Sequence, residues 1–390
     1  MQRVSISLLA IAALCSASLA QKSPRVDVCP WCKNDPAVMS AAGVVSHGPI
    51  AIGPKGSEAL AAALPAGSWI FLETAHLRWA FALGPETVVI DEKKRVRSEL
   101  ARLKKVLPSV PTDSAKLDPW LRLHLLAMRG EELYARFQQL LQVKDADFPE
   151  SRSNTGPFMG NGRFLGEKEK FEIVVHPSRE MHRTFTVDFS GVSVTDSFRW
   201  HFKDQHKLLV SIPGEDGDLR HDRWLFPHVA HNLSHAFFCA YKHFSYDPPV
   251  WLDEGLAHVI EKEIDPASVT TDGTEGATRE THSPPDWTDA ARKLVARGKA
   301  KSLAELMHAK EFGELDVDAH VTAWSMIRFL IAEHPDQLAK ILGGVKGQLD
   351  ANGIPTGKDL PDLERKLLKE TGGWTPQSFD EEWRKWAGQQ

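Results

Sequence analysis

The sequence predicts an α+β fold, with a small mixed sheet in the first part of the chain and a mainly helical C-terminal part. Three observations favour it. Short apolar runs at 171–175 and 208–212 have the length and composition of buried strands. Apolar residues spaced three and four apart predict amphipathic helices over 96–107 and 119–143. Strands and helices do not alternate regularly, so a doubly wound parallel sheet is not expected.

The remaining elements follow from composition and helix breakers. The β-leaning segment 69–83 predicts a further strand, and 221–243 predicts a helix. Pro248 and Pro249 separate that helix from another, which begins near 251. The polar segment 265–286 predicts a loop. Further helices are predicted over 287–297, 302–307, 321–333, 335–347, 360–371 and 378–386.

Composition and the N-terminus predict an exported globular protein. The chain has 390 residues, of which 42% are hydrophobic and 25% charged, enough for one large domain or two smaller ones. The formal net charge of -5 provides no basic field, so no nucleic-acid partner is expected. Arg3, the apolar run 4–14 and small residues before Gln21 predict a cleaved signal peptide. An uncleaved anchor would need about 20 apolar residues, and no later stretch provides a membrane span.

The predicted organisation has four parts. A signal peptide (1–20) precedes an N-terminal segment that carries a Cys-x-x-Cys pair (21–65). The strands and the candidate site lie in 66–262, and a helical part follows over 263–390. The predicted location is periplasmic or extracellular. No pattern in the chain predicts an oligomeric state.

The Cys-x-x-Cys pair consists of Cys29 and Cys32. In an exported chain such a pair forms a disulfide or half of a structural metal site. No second pair of ligands follows at zinc-finger spacing, but His47 or His76 could complete a site in the folded chain. A redox pair is less expected, because no βαβ pattern follows. Cys239 is expected to be a small buried residue.

A candidate metal site begins with two histidines four residues apart, His231 and His235. On the helix predicted over 221–243 their rings share one face and can bind one metal ion. Buried structural histidines have the same spacing, so the pair alone does not establish a site. Glu254 follows after 18 intervening residues, in the first turns of the next predicted helix.

These residues resemble a known family. The sequence HNLSH at 231–235 and the sequence WLDEGLA at 251–257 are similar to the HExxH motif and the W-x-x-E-G-x-A segment of gluzincin metallopeptidases. The resemblance covers 170–262 and extends more loosely to the strand at 69 and the C-terminal helices. It implies a zincin-like fold, with the sheet over the metal-site helices.

By residue, the resemblance implies His231, His235 and Glu254 as zinc ligands. Asn232 stands where the family has its catalytic Glu. In an active member that Glu takes a proton from the attacking water and passes it to the leaving amine, which an amide cannot do at neutral pH. His258 stands where gluzincins commonly place a carboxylate that orients a ligand histidine, so poorer support is expected.

Three nearby carboxylates are not expected to compensate. Asp253 is expected to be a helix-start carboxylate, and Asp222 and Glu261 are not expected to replace the missing base. The family often supplies a Tyr or His that stabilises the oxyanion, and His320 is the candidate here. Its place just before a predicted helix favours an exposed helix-start histidine instead.

The resulting hypothesis is a secreted, zincin-like pseudopeptidase that retains a zinc site and binds a peptide or protein ligand. Two alternatives stay open. One is an active zinc-dependent metallopeptidase that uses another base. The other is a structural envelope protein in which the former site is only a packed core.

Overall fold

The chain folds as a mixed α+β protein around a small mixed sheet, as predicted. The structure is a computed structural model, and it describes residues 28–65, 68–214, 217–273, 276–280 and 283–390. The predicted signal peptide (1–20) lies outside the described residues. No helix in the described part of the chain has the length and apolar content that crossing a membrane requires.

The strands of the described chain are β1 (Ile70–Glu73), β2 (Leu77–Phe81), β3 (Glu86–Thr87), β4 (Lys116–Leu117), β5 (Phe171–His176), β6 (Phe198–Phe202), β7 (Lys207–Pro213), β8 (Thr270–Gly273) and β9 (Gly276–Arg279). The central sheet has the order β1-β2-β5-β7-β6, while β3 pairs with β4 and β8 with β9. β5 runs parallel to both neighbours, with Ile173 opposite Trp79 on one side and Val210 on the other. β1 and β6 are antiparallel edge strands.

The helices of the described chain are α1 (Pro36–Ala41), α2 (Ser57–Ala63), α3 (Lys93–Lys104), α4 (Pro119–Leu141), α5 (Arg179–Ser190), α6 (Asp222–Ala240), α7 (Val250–Ile264), α8 (Trp287–Ala296), α9 (Leu303–Leu306), α10 (Val317–Glu333), α11 (Pro335–Val345), α12 (Leu360–Gly372) and α13 (Pro376–Ala387). The helices at the predicted positions α3, α4 and α6 are confirmed, as are those of the C-terminal part, α8 to α13. Their ends differ from the predicted ends by a few residues.

Both faces of the central sheet are covered, and β5 and β7 are therefore buried along their whole length. Alternate side chains of a strand point to opposite faces. Ile173 accordingly belongs to the main core, to which α6 contributes Leu233. Val174 belongs to a second core with Phe185 of α5 and Ile52 of the N-terminal segment. The helices that carry the candidate site thus lie on the main-core side of the sheet.

Two predicted elements are wrong in detail. The single strand predicted over 69–83 is the hairpin β1–β2, because the Thr74 amide donates to the Leu77 carbonyl at 2.9 Å and closes a turn. The loop predicted over 265–286 contains the hairpin β8–β9. In addition, α5 and β6 were not predicted, although Ser178 caps α5 by accepting from the amide of Met181.

Helices α6 and α7 are held in place by one buried ion pair and one close helix crossing. Arg122 of α4 donates to the Asp222 carboxylate, at the start of α6, over 2.8 Å. Gly255 of α7 faces α10 so closely that a Cβ there would lie 2.8 Å from Ile327 Cγ1 and 2.9 Å from the Ala323 carbonyl oxygen. The glycine therefore permits α7 to pack directly on α10.

Candidate metal centre

Ligand atoms from α6, α7 and β8 converge in a buried group that we call the carboxylate cluster: His231, His235, Glu254 and Asp272, all within 4.8 Å of one another. The two Nε2 atoms of the histidines are 3.2 Å apart. Glu254 Oε2 lies 3.8 Å from the first and 3.9 Å from the second. Asp272 oxygens lie 3.9 Å and 3.7 Å from the same two nitrogens. Ligands of a tetrahedral zinc ion are about 3.4 Å apart, so the four groups fit one such ion.

The histidine tautomers favour a cation between the rings. His235 Nδ1 lies 2.9 Å from the Asp253 carboxylate, and His231 Nδ1 lies 3.5 Å from the Glu261 carboxylate. With the ring proton on Nδ1, the nitrogen nearer a carboxylate in both rings, each Nε2 is a lone-pair acceptor. Two lone pairs that face each other at 3.2 Å repel unless a cation lies between them.

The buried charge of this region is negative. The side chains of Asp253, Glu254, Glu261 and Asp272 belong to residues at most 4% exposed. In the described chain, Arg199 is the one permanent cation within ion-pair distance of these carboxylates. Glu254 Oε2 has no hydrogen-bond partner among the described residues. A divalent cation would satisfy that oxygen and balance two of the charges, so the residues fit a metal ion.

The pKa directions follow from burial and crowding. Burial, with the charges of Asp272 and Asp253, raises the pKa of Glu254 above its ordinary value. Burial also acts to raise the pKa of Asp272, but the Arg199 guanidinium outweighs it and holds that pKa well below its usual range. Burial lowers the pKa of His231, which favours the neutral ring that metals bind.

Asp272 is the member of the cluster that the sequence did not predict. It lies on β8, in the segment predicted as a polar loop, and its amide donates to Glu254 Oε1 over 3.3 Å. In sequence, an aspartate among Thr, Gly and Glu residues has the appearance of a solvated loop residue. No local pattern marks it, because hairpin formation alone brings it to α6 and α7.

Asn232, at the position where the resemblance implies a catalytic Glu, is buried and both ends of its amide have partners. Its Nδ2 donates to the His228 carbonyl at 2.9 Å, and its Oδ1 accepts from Arg199 at 3.0 Å. The same guanidinium nitrogen of Arg199 donates to Asp272 at 3.1 Å. The base position therefore holds a neutral amide, linked through Arg199 to the fourth member of the cluster.

Two carboxylates lie behind the histidines of the cluster, which corrects the expectation for Asp253. Asp253 is more than a helix-start residue, because its carboxylate lies against His235 Nδ1. Glu261 reaches the site through His231 Nδ1. It follows Glu254 by seven residues, two helical turns, and so lies on the same face of α7. Both carboxylates thus lie where a carboxylate can orient a metal-binding histidine through Nδ1.

His258 and His320 form a second layer behind Glu254. His258 Nε2 lies 3.4 Å from Glu254 Oε2, and its Nδ1 lies 3.4 Å from Glu261. The expected weaker support at position 258 is therefore made up by Glu261. His320 is 4% exposed, so the expectation of an exposed helix-start residue is wrong. Its Nδ1 lies 3.1 Å from His258 and 3.9 Å from Glu254 Oε2, which leaves an oxyanion role as a prediction.

The β8–β9 hairpin closes the site from the side of β6. Ser197, just before β6, exchanges two backbone hydrogen bonds with Ala277 of β9, at 3.2 and 3.1 Å. His228 of α6 lies 2.5 Å from the Ser197 hydroxyl and 3.1 Å from the Thr270 hydroxyl. These contacts fix β8 where Asp272 reaches the other ligands.

A small cavity lies beside the cluster. A cavity of about 170 Å³ touches His235 and Asp253 and is bounded by β6, α6 and Phe312. The Phe312 ring centroid lies 5.3 Å from that of His235. Ligand pockets usually enclose about 300–1,000 Å³, so this cavity accommodates a few water molecules or one side chain.

Comparison with known proteins adds no family: neither the protein-family models nor the curated proteins contain a match to this sequence. Fold and site together define an α+β protein with a buried His/His/Glu/Asp cluster. Membership of the gluzincin family stays a prediction from the motifs of the chain.

Proposed function

We propose that the protein is a secreted zincin-like pseudopeptidase, which holds a metal ion with His231, His235, Glu254 and Asp272 and acts by binding a peptide or protein. The observation that carries this proposal is the position of the Asp272 carboxylate, within 3.9 Å of both histidine Nε2 atoms. Catalytic zinc sites have three protein ligands and leave the fourth position to water or substrate. A fourth protein ligand is typical of structural sites.

Asn232 supports the same proposal independently. Removal of a positioned general base lowers a rate on the order of 10²- to 10⁴-fold. A zinc ion bound in the carboxylate cluster would supply Lewis acidity, but the amide of Asn232 is too weakly basic to take a proton from water at neutral pH. The remaining residues of the cluster, two histidines and two carboxylates, serve to bind a metal ion.

The edge strand β6 is the proposed place for a peptide or protein ligand. It pairs with β7 on one side, and the β8–β9 hairpin contacts it through Ser197. An extended peptide can add to such an edge by main-chain hydrogen bonds. Binding along the full edge would displace the hairpin and with it Asp272, which would couple the ligand to the metal site.

The test combines metal content with proteolysis of an unstructured protein in the presence and absence of a chelator. Wild type is expected to hold metal and show no chelator-sensitive cleavage. The variant Asn232→Glu/Asp272→Ala restores a base and opens the fourth position, and it is expected to gain cleavage by about 10²-fold or more. His231→Ala should hold about one metal ion per chain fewer than the wild type, whereas His176→Asn, a buried histidine outside the cluster, should hold as many as the wild type.

Three results would count against the proposal. Chelator-sensitive cleavage by the wild type would favour an active metallopeptidase. Absence of bound metal after loading, together with no effect of His231→Ala, would favour a structural envelope protein. No gain of cleavage in a metal-loaded Asn232→Glu/Asp272→Ala variant would mean that more than these two residues separates the site from an enzyme.

An active metallopeptidase is the second candidate, and Asp272 is the observation that favours it. Its carboxylate lies 3.7 Å from His235 Nε2, on the side of the histidines where a metal ion would lie, whereas Asp253 and Glu261 lie behind the rings at Nδ1. In that case Asp272→Asn would abolish cleavage while retaining metal. In the pseudopeptidase, the same variant would only weaken metal binding.

A further inference from the structure

A second group of ligand atoms, which we call the sulfur cluster, lies outside the carboxylate cluster. It comprises Cys29, Cys32, His47 and His124, whose ligand atoms all lie within 4.8 Å of one another. Cys29 Sγ is 3.2 Å from His124 Nε2, and Cys32 Sγ is 3.0 Å from His47 Nε2. Sulfur and nitrogen ligands of one tetrahedral zinc ion are about 3.5 Å apart. We propose that these four residues bind a structural zinc ion that fastens the N-terminal segment to α4.

The backbone around the two cysteines forms a tight turn. The Lys33 amide donates to the Cys29 carbonyl at 2.8 Å, and the Asp35 amide to the Cys32 carbonyl at 3.0 Å. Lys33 and Asn34 adopt left-handed φ values of 54° and 55°, which bend the chain directly after the second cysteine. The turn thereby presents both sulfur atoms to the same side.

Each histidine is positioned by the fold. His47 Nδ1 lies 3.2 Å from the Phe71 carbonyl oxygen of β1, which assigns the ring proton to Nδ1 and leaves Nε2 free to bind a metal. The Trp120 ring packs edge-on against His47, with ring centroids 4.9 Å apart. His124 lies one turn further along α4, so the helix carries both the packing ring and the fourth ligand.

The other roles open to a Cys-x-x-Cys pair fit less well. The four residues are between 0% and 5% exposed, so no substrate reaches them and redox or nucleophilic catalysis is disfavoured. Cys29 and Cys32 are free thiols in the structure, not a disulfide. His76, the other candidate ligand, is occupied elsewhere: its nitrogens lie 2.5 Å from Glu131 and 2.7 Å from Asp145.

A zinc ion here would hold in place the N-terminal segment that covers the edge strand β1. Between the cysteine turn and α2, the Val45 amide donates to the Glu73 carbonyl of β1 at 2.7 Å, and Glu73 donates to the Ser46 carbonyl at 2.8 Å. The same segment places the Gly53 amide 2.7 Å from the buried Glu172 carboxylate of β5. Loss of the ion would release a segment that protects β1 and satisfies a buried charge.

The first test uses the full chain with its metal replaced by Co²⁺. Thiolate ligands give cobalt a charge-transfer absorption in the near ultraviolet, which the carboxylate cluster cannot produce because it contains no sulfur. The wild type is expected to show this absorption, and a His231→Ala/His235→Ala variant is expected to keep it. The outcome is therefore independent of the proposed function. Absence of the absorption in metal-loaded wild type would overturn the proposal.

Variants identify the ligands. Cys29→Ser and Cys32→Ser should each lose the absorption and about one zinc ion per chain, whereas Cys239→Ser, a half-buried cysteine outside the cluster, should change neither. Should the serine variants fail to fold, the His231→Ala/His235→Ala variant decides, because about one zinc ion per chain should remain in the sulfur cluster. A His231→Ala/His235→Ala variant that folds without zinc would overturn the proposal.

The rival disulfide is tested by alkylation of the unfolded native protein and mass spectrometry. Zinc binding predicts that Cys29 and Cys32 are both alkylated without prior reduction. A mass lower by two protons, with both cysteines protected from alkylation until reduced, would show a disulfide and overturn the zinc site.

Discussion

The carboxylate cluster and the sulfur cluster are both buried groups of four donors, yet they differ in what remains when no metal is bound. The sulfur cluster consists of thiols and imidazoles, which can all be neutral. The carboxylate cluster includes Glu254 and Asp272, and Asp253 and Glu261 lie directly behind its histidines. Arg199 alone among the described residues offers these acids a permanent positive charge within ion-pair distance.

The difference gives the proposed pseudopeptidase a reason to retain a metal ion without catalysis. Position 232 carries a neutral amide and no carboxylate, but four acidic residues, Asp253, Glu254, Glu261 and Asp272, stay buried around the histidines. Four buried carboxylates with one guanidinium are costly to keep out of water, and a divalent cation offsets that cost. In the sulfur cluster, by contrast, zinc would act on the packing of the N-terminal segment and not on charge balance.

The largest expected effect concerns Arg199. In metal-free protein, Arg199→Met leaves Asp272 buried without its cation and should lower the free energy of unfolding by about 3–5 kcal/mol. In metal-loaded protein the loss should be smaller, because the metal also compensates Asp272. Chemical denaturation of both forms measures the difference.

The matched control is Arg97→Met, since Arg97 and Asp113 form an ion pair whose side chains are 64% and 78% exposed. That pair is expected to contribute less than about 1 kcal/mol, with or without metal. Adding Asp272→Asn to Arg199→Met should recover part of the lost stability. Equal losses for Arg199→Met with and without metal would show that charge balance does not distinguish the two clusters.

An intermediate effect is expected for Asp253. Asp253→Asn removes the carboxylate that lies 2.9 Å from His235 Nδ1, and loss of such a partner lowers metal affinity about 10- to 100-fold. Competition with a chromophoric chelator measures the affinity of the carboxylate cluster in a Cys29→Ser background. Asp247→Asn, a change to a nearby exposed carboxylate, serves as control and should have no effect.

The sulfur cluster provides a comparison for this prediction, because its histidine His47 has a backbone partner. His47 is oriented by the backbone carbonyl of Phe71 and not by a side chain. Phe71→Leu should therefore leave zinc in the sulfur cluster, as judged by the cobalt absorption. If Asp253→Asn also left its site unchanged, orientation by a carboxylate would have no importance here, and Asp253 would be only a helix-start residue.

Much of the carboxylate cluster could be predicted because its signals are local. His231 and His235 share a helical face by their spacing, and Glu254 follows within the next helix. Asp272 could not be predicted, since it joins the cluster only when β8 pairs with β9 and the hairpin contacts Ser197. Contacts between distant segments leave no periodic trace in sequence.

The sulfur cluster also contains ligands from distant segments that the sequence alone could not identify. The spacing of Cys29 and Cys32 identifies them as candidate ligands. The sequence gives no basis for choosing between His47 and His76 as a further ligand. His124 is hidden inside the apolar pattern of α4, where a histidine among leucines has the character of a core residue. His47 meets the thiols because its segment pairs with β1, whereas His76 lies in the β1–β2 turn against Glu131 and Asp145.

The smallest expected effect separates His76 from the sulfur cluster. Burial acts to lower the pKa of His76, but hydrogen bonds and charges from Asp145 and Glu131 outweigh it and raise the pKa to about 9. A histidine whose pKa is higher folded than unfolded stabilises the fold while it is protonated. The contribution is complete below about pH 6.5 and disappears as the pH rises through about 9.

Because His76 and its partners are partly exposed, the stability lost over this window should be about 1–2 kcal/mol. Denaturation of wild type and His76→Gln from pH 6 to 9.5 measures it, with the exposed His308→Gln as control. The His76→Gln variant should show a flatter profile and an unchanged thiolate–cobalt absorption. A loss of that absorption in His76→Gln would make His76, instead of His47 or His124, the histidine on which the sulfur cluster depends.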